Sequence, residues 1–137
     1  MNLTLFYSSI LLGACIVGIS LCVEYTEKLY HLYLITYTGI LTSLLNHGTS
    51  YHSTFYKWLD RYTIFLGVFV YMYYIFLMKS SFRKAIALSI ILAMIVLYFY
   101  SKYKKYRKYR DKDYTHIHLS CHFLSVILFT LIVVSVR

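Results

Sequence analysis

The chain has 137 residues, of which 60% are hydrophobic, 20% aromatic and only 14% charged. A soluble globular domain usually carries about 25% charged residues, so this composition excludes an ordinary soluble module. The formal net charge of +9 would suggest nucleic acid as the partner of a soluble protein. Apolar runs of membrane length recur along the chain, however, and they indicate an all-α, polytopic membrane bundle that forms a single domain over residues 1–137.

Five apolar segments predict about five transmembrane helices. The first, residues 3–23, carries no charged side chain and is long enough to span a bilayer. It lacks the basic start and the Ala-x-Ala site of a signal peptide, so we interpret it as a helix of the mature protein. The other four helices are predicted at residues 29–47, 54–78, 82–100 and 115–136.

Residues 101–113 are predicted to form a basic loop between the last two helices, with seven of the 14 Lys and Arg residues of the chain. With five helices, this loop shares a side with the N-terminus, Lys57 and Arg61, so nine basic residues lie on that side and the remaining five on the other. Because basic residues favour the cytoplasmic side, we expect a cytoplasmic N-terminus and a C-terminus that is outside or luminal.

The basic loop itself has two interpretations. It can act as a positive-inside signal that rests on anionic lipid headgroups. Its interleaved tyrosine and basic residues can also suggest RNA binding, but no surrounding fold would present a groove for a nucleic acid. We therefore expect membrane lipids, and no nucleic acid, among the partners.

Few ionisable side chains fall near the predicted spans, and each calls for a partner because such groups are costly in a membrane. Asp60 lies at the mouth of the third helix, in YKWLDRYTIF. His47 closes the second helix, and Ser43 lies one turn before it on the same face. His118 and His122, in HLSCH, lie on one face of the first two turns of the fifth helix.

The predicted topology brings the three histidines and Asp60 to one membrane face, within about two helical turns of it. Three neutral imidazoles with an open fourth position are the ligand set of a catalytic zinc. A nearby carboxylate can orient or deprotonate the water that the metal activates. We therefore predict a zinc site with these metal ligands and catalytic residues: His47, His118 and His122 for the metal, and Asp60 and Ser43 for catalysis.

Each residue also has a simpler interpretation. A lone histidine at a helix end is often an interface residue, Asp60 can form an ion pair with Arg61, and Ser43 can hydrogen-bond back to its own helix. Of the other histidines, His31 is predicted near the opposite face and is excluded from the site. His52 and His116 are nearer, and their roles stay open.

The ordered pattern Ser43-x-x-x-His47, then Asp60, then His118-x-x-x-His122 in the last helix resembles the CREST superfamily of membrane hydrolases. That group includes the alkaline ceramidases, the progestin/adipoQ receptor family and haemolysin-III-like proteins. The resemblance implies zinc on the three histidines and a water held and deprotonated by Asp60. It implies that Ser43 polarises the substrate carbonyl or stabilises its oxyanion. The family usually has seven helices, so this chain is predicted to be a shortened form. In the family, the missing helices form part of the wall of the lipid pocket, and a homodimer is one way to complete that wall.

These observations favour a zinc-dependent membrane hydrolase that acts on a lipid amide, ceramide-like, or on a related acyl bond. The alternative is a non-catalytic, metal-binding receptor or scaffold protein of the same fold. An ion or proton pathway is a third hypothesis. It requires ionisable groups at several depths, and the mid-membrane stretches of the predicted helices contain none.

Overall fold

The computed structural model describes residues 3–23, 26–48, 54–106 and 111–136, with side chains for all of these but 104–106 and 111–114. Over these ranges the chain is a bundle of five α-helices, and a single 3₁₀ turn, Glu27–Leu29, precedes the second. The prediction of an all-α bundle is therefore confirmed. The helices are α1 Leu3–Cys22, α2 Tyr30–Gly48, α3 Thr54–Leu77, α4 Ser81–Tyr106 and α5 Asp111–Val136.

The predicted boundaries of the first three helices agree with the structure to within one residue. The predicted loop over residues 101–113 is the exception, because α4 continues to Tyr106 and α5 already begins at Asp111. The charged residues mark where the apolar segment ends. Lysine and arginine nevertheless have high helix propensities, so the helix can continue through them. Hydropathy therefore predicted the end of the apolar segment and not the end of the helix. Residues 107–110 lie outside the described part of the chain.

Three helical segments are long and apolar enough to cross a membrane: Leu3–Cys22, Ser81–Tyr103 and Thr115–Val136. These segments support a membrane protein. Helices α2 and α3 do not contain a comparable apolar segment, since both carry many hydroxyl and tyrosine side chains and α3 also carries Lys57, Asp60 and Arg61. That five helices cross the membrane, and in which orientation, stays a prediction.

The helices form a ring with one loose seam. Helix α1 packs against both α2 and α5, α2 packs along α3, and α4 packs along α5. Helices α3 and α4 meet far less extensively. The α3–α4 side is therefore the place where the interior is least enclosed.

The apolar core occupies one half of the bundle, where α2 and α4 begin and α3 and α5 end. We call this half the closed end. There the Tyr74 hydroxyl donates a hydrogen bond to the Lys28 carbonyl, 2.7 Å away, which ties α3 to the start of α2. The other half, where α2 ends and α5 begins, is called the site end. The fully buried core side chains include Ile16, Leu29, Leu32, Tyr74, Ile75, Met78, Phe129, Ile132 and Val133.

Candidate metal centre

Three histidines converge at the site end. His47 lies in the last turn of α2, and its ring centroid is 5.1 Å from that of His118 and 6.4 Å from that of His122. The two α5 rings are 4.9 Å apart, because residues four positions apart share a helix face. The ligating atoms of the three side chains all lie within 4.8 Å of one another. The three histidines are therefore close enough to bind one metal ion, as predicted.

The His47 side chain provides a test of whether a metal fits this site. His47 is only 9% exposed, and its Nε2 has no hydrogen-bond partner within the described part of the chain. Leaving such a buried polar atom unsatisfied costs about 1–3 kcal/mol. A cation at the centre of the three rings would accept the Nε2 lone pair and remove this cost. The donor set and the unsatisfied nitrogen therefore both fit a metal.

Helix α1 contributes two serines to the site that the sequence analysis did not identify. The Ser8 Oγ lies 2.9 Å from Nδ1 of His122, and the Ser9 Oγ lies 3.0 Å from the Ser43 Oγ. Their signal in the sequence is weak: two adjacent hydroxyls, in YSSILL, at the same predicted depth as the histidines. The first helix is thus part of the site and not only an apolar wall.

Asp60 is buried near the start of α3, with 6% of its surface exposed. The Asn46 side chain donates a hydrogen bond to Asp60 Oδ2 at 2.8 Å. Arg61, the expected partner in the simpler interpretation, instead lies over the ring of Trp58, 5.4 Å from its centroid. Asn46 was also missed by the sequence analysis, although it directly precedes His47. Asp60 is therefore a buried carboxyl group with one oxygen held by a neutral amide.

Ser43 is buried and lies in the wall of the same interior space as Asp60. Its hydroxyl lies 3.0 Å from the Ser9 hydroxyl of α1, so it bonds across to another helix. In this turn of α2, Thr42 is the residue that bonds back to its own helix: its hydroxyl donates to the Gly39 carbonyl at 3.1 Å. Ser43 is therefore placed where a hydroxyl can face a bound molecule.

A cavity of about 620 Å³ connects this polar group to the middle of the bundle. His118, His122, Ser43 and Asp60 lie in its wall, and most of the remaining wall is apolar. Ligand sites in proteins usually have volumes of about 300–1,000 Å³ and are mostly apolar with a few polar groups. The cavity also extends into the loose seam between α3 and α4, where its wall includes Ile64, Phe65, Val68, Phe69, Met94, Ile95 and Phe99.

The other histidines do not join the cluster in the described part of the chain. His31 lies in the first turn of α2, at the closed end, with its ring 5.4 Å from that of Tyr30. His116 is exposed on α5. His52 lies outside the described residues. The exclusion of His31 agrees with this placement.

No protein-family model, curated protein or solved structure matches this chain. The resemblance to the CREST superfamily therefore stays a prediction that rests on the five motif residues.

Proposed function

We propose that the protein is a zinc-dependent membrane hydrolase that cleaves a lipid amide, ceramide-like, or a related acyl bond. One observation carries this proposal. Three histidines that can share a metal lie in and beside the wall of an apolar cavity that also contains a buried carboxylate and a buried hydroxyl. Reactive groups at the polar end of a long apolar space suit a substrate with a polar bond and an acyl chain.

The nature of the ligands supports zinc as the metal. Three imidazoles with room for one further ligand are typical of catalytic zinc sites, whereas structural zinc sites usually have four protein ligands, mostly cysteine. His47, His118 and His122 would hold the ion. When bound, zinc supplies Lewis acidity that polarises a carbonyl and lowers the pKa of a coordinated water to about 7.

We assign the proton transfers to Asp60. Its Oδ2 is held by Asn46, so the Oδ1 atom is the one we assign to take a proton from the attacking water. The water oxygen then forms a bond to the acyl carbon, and the carbon–nitrogen bond of the amide breaks. Asp60 returns the proton to the leaving nitrogen, so the products are a carboxylic acid and an amine.

Ser43 is the residue that we assign to the oxyanion. We assign the Ser43 hydroxyl as the donor in its 3.0 Å contact with Ser9, because the Ser9 hydroxyl can donate to the Leu5 carbonyl. Turning that one proton from Ser9 to a substrate oxygen requires only rotation of the hydroxyl. A donor preorganised in this way stabilises negative charge that develops on the carbonyl oxygen.

The proposal includes a membrane position for the site. With the N-terminus in the cytoplasm and the C-terminus outside or in a lumen, the site end lies just beneath the cytosolic headgroups. In this topology the basic sequence 101–113 belongs to the cytosolic side, where anionic lipids attract such clusters. A homodimer that covers the α3–α4 seam is compatible with this arrangement.

The test is zinc content and lipid cleavage measured on the same purified protein. We expect about one zinc per chain and release of fatty acid from N-acyl lipids in vesicles. The variant His118→Ala/His122→Ala should lose both the zinc and the release. His116→Ala, which removes an exposed histidine from the same helix, is the matched control and should retain both.

Two outcomes would contradict the proposal. A wild-type protein that binds no zinc removes the metal site. A wild-type protein that holds zinc but releases no more acid from amide or ester lipids than the double variant is a receptor or scaffold and not a hydrolase.

A further inference from the structure

We propose that Ser8 of α1 is a positioning residue for the metal site, which fixes the tautomer of His122 so that this ring presents Nε2 to the metal. This inference deepens the proposed function and rests on its metal site. It adds a fourth helix to a site that the motif residues place on α2, α3 and α5 alone.

The hydrogen bonds around Ser8 determine which nitrogen of His122 carries the proton. Ser8 is 8% exposed, and its hydroxyl donates to the Leu5 carbonyl at 2.8 Å. A hydroxyl has one proton, so the Ser8 oxygen can only accept in its 2.9 Å contact with His122 Nδ1. The proton of the neutral imidazole is therefore on Nδ1, and the lone pair is on Nε2.

This arrangement is the one that a metal-binding histidine needs. The nitrogen that does not bind the metal usually donates to an oxygen atom, which holds the ring in place and makes the other nitrogen a better ligand. Here the chain of donors runs from His122 through Ser8 to the backbone of Leu5. Because the last acceptor is a helix carbonyl, the chain ends on a group that cannot rotate.

The same turn of α1 reaches the site on two sides. Ser8 contacts α5, while its neighbour Ser9 contacts Ser43 of α2. Both serine hydroxyls donate to the Leu5 carbonyl. The close approach of Phe6 to Gly48 brings α1 against the end of α2, since a Cβ at Gly48 would lie 2.8 Å from a Phe6 ring carbon. The start of α1 is therefore held against both helices that supply the histidines.

The experiment compares metal binding in three variants of the full chain. Ser8→Ala removes the hydroxyl, Ser8→Thr keeps it, and Ser20→Ala is the matched control. Ser20 lies in the same helix, and its hydroxyl also donates to a backbone carbonyl, that of Ile16, at 2.7 Å, but away from the site. The measurements are zinc affinity by competition with a chelator, the visible spectrum of the cobalt-loaded protein, and thermal unfolding of the metal-free protein.

We expect Ser8→Ala to bind zinc about 10–100-fold more weakly than wild type, the usual effect of losing such a partner. Its cobalt spectrum should change, and its metal-free unfolding temperature should stay close to that of Ser20→Ala. Ser8→Thr should restore both the affinity and the spectrum. In wild-type protein, ¹⁵N chemical shifts should identify Nδ1 of His122 as the protonated nitrogen.

Several results would overturn the inference. One is a wild-type zinc affinity in Ser8→Ala, and another is a proton on Nε2 of His122. A third is a loss of affinity that Ser8→Thr fails to restore and that follows a loss of metal-free stability, because the role would then be structural only. These results can be distinguished from a failure of the metal site itself. If there is no metal site, the wild type binds neither zinc nor cobalt, and the role of Ser8 is then contradicted as well.

Discussion

At the closed end of the bundle the fully buried side chains are apolar, among them Phe129, Ile132 and Val133. At the site end the buried side chains include Ser9, Ser43, His47 and Asp60, and the space beside them is a cavity. One half of the molecule is thus filled by apolar side chains, and the other has buried polar side chains beside an open space whose wall is mostly apolar. The comparison indicates that packing at the closed end stabilises the fold, which leaves the site end room for ligands.

Depth in the membrane offers a physical reason for this division. A polar or charged group costs most at the middle of a bilayer and much less near its surface. The site residues lie near the ends of α2, α3 and α5, so in the proposed topology they avoid the most costly depth. Two of these residues, Asp60 and His122, also have hydrogen-bond partners within the protein, Asn46 and Ser8 respectively.

The largest effect expected at the site end is that of Asp60→Asn. The amide oxygen can still accept from Asn46, but the side chain can no longer take a proton. We expect lipid hydrolysis to fall by about 10²–10⁴-fold, the usual contribution of a general base. Zinc content and unfolding should change little. Lys57→Gln, an exposed charge one turn earlier in α3, is the control. Full activity in Asp60→Asn would remove Asp60 from the mechanism.

At the closed end, Phe129→Ala should weaken the fold and not the site. Phe129 is fully buried, with its ring 5.6 Å from that of Tyr33. We expect a loss of about 3 kcal/mol in the free energy of unfolding, measured by denaturation in detergent, because removing the ring leaves a cavity. Zinc affinity of the folded protein should stay near that of wild type.

Phe123→Ala is the matched control for this variant. Phe123 lies in the same helix but is 67% exposed, so its truncation should cost less than about 0.5 kcal/mol. Equal losses for the two variants would contradict the view that the closed end stabilises the bundle.

A smaller effect on lipid hydrolysis is expected when the part of the cavity next to the metal site is filled. Ser125 lines the cavity one turn after His122, and Ser125→Phe would occupy space that an acyl chain needs. We expect turnover of long-chain substrates to fall by about tenfold or more, since the loss of even one methylene contact in an apolar pocket carries a cost of this order. Short-chain substrates should be cleaved almost normally, with zinc content unchanged.

Ser120→Phe, on the exposed face of α5, controls for the added ring. If Ser125→Phe slowed long and short substrates equally, the cavity would not be the acyl site.

Much of the candidate site was predictable from the spacing of residues along each helix and from the alternating direction of successive helices. His118 and His122 lie four residues apart, which puts both rings on one face of α5 in any helix. His47 joins them because an even number of helix reversals separates the end of α2 from the start of α5. The serines of α1 were not predictable, because a hydroxyl in an apolar helix can bond to its own backbone and gives no sign of a neighbour. The cavity was not predictable either, since it depends on how closely α3 and α4 approach.

The sequence by itself determined the order and approximate positions of the helices, and the end of the bundle at which His47, His118 and His122 lie. Both follow from local properties of the chain: apolar length, the rise per residue and the alternation of helix direction. Only the tertiary structure decided that α1 completes the site through Ser8 and Ser9, that Asp60 pairs with Asn46 and not with Arg61, and that the space beside them stays open. Those features depend on the rotation and separation of helices that are distant in sequence, and packing between side chains sets both.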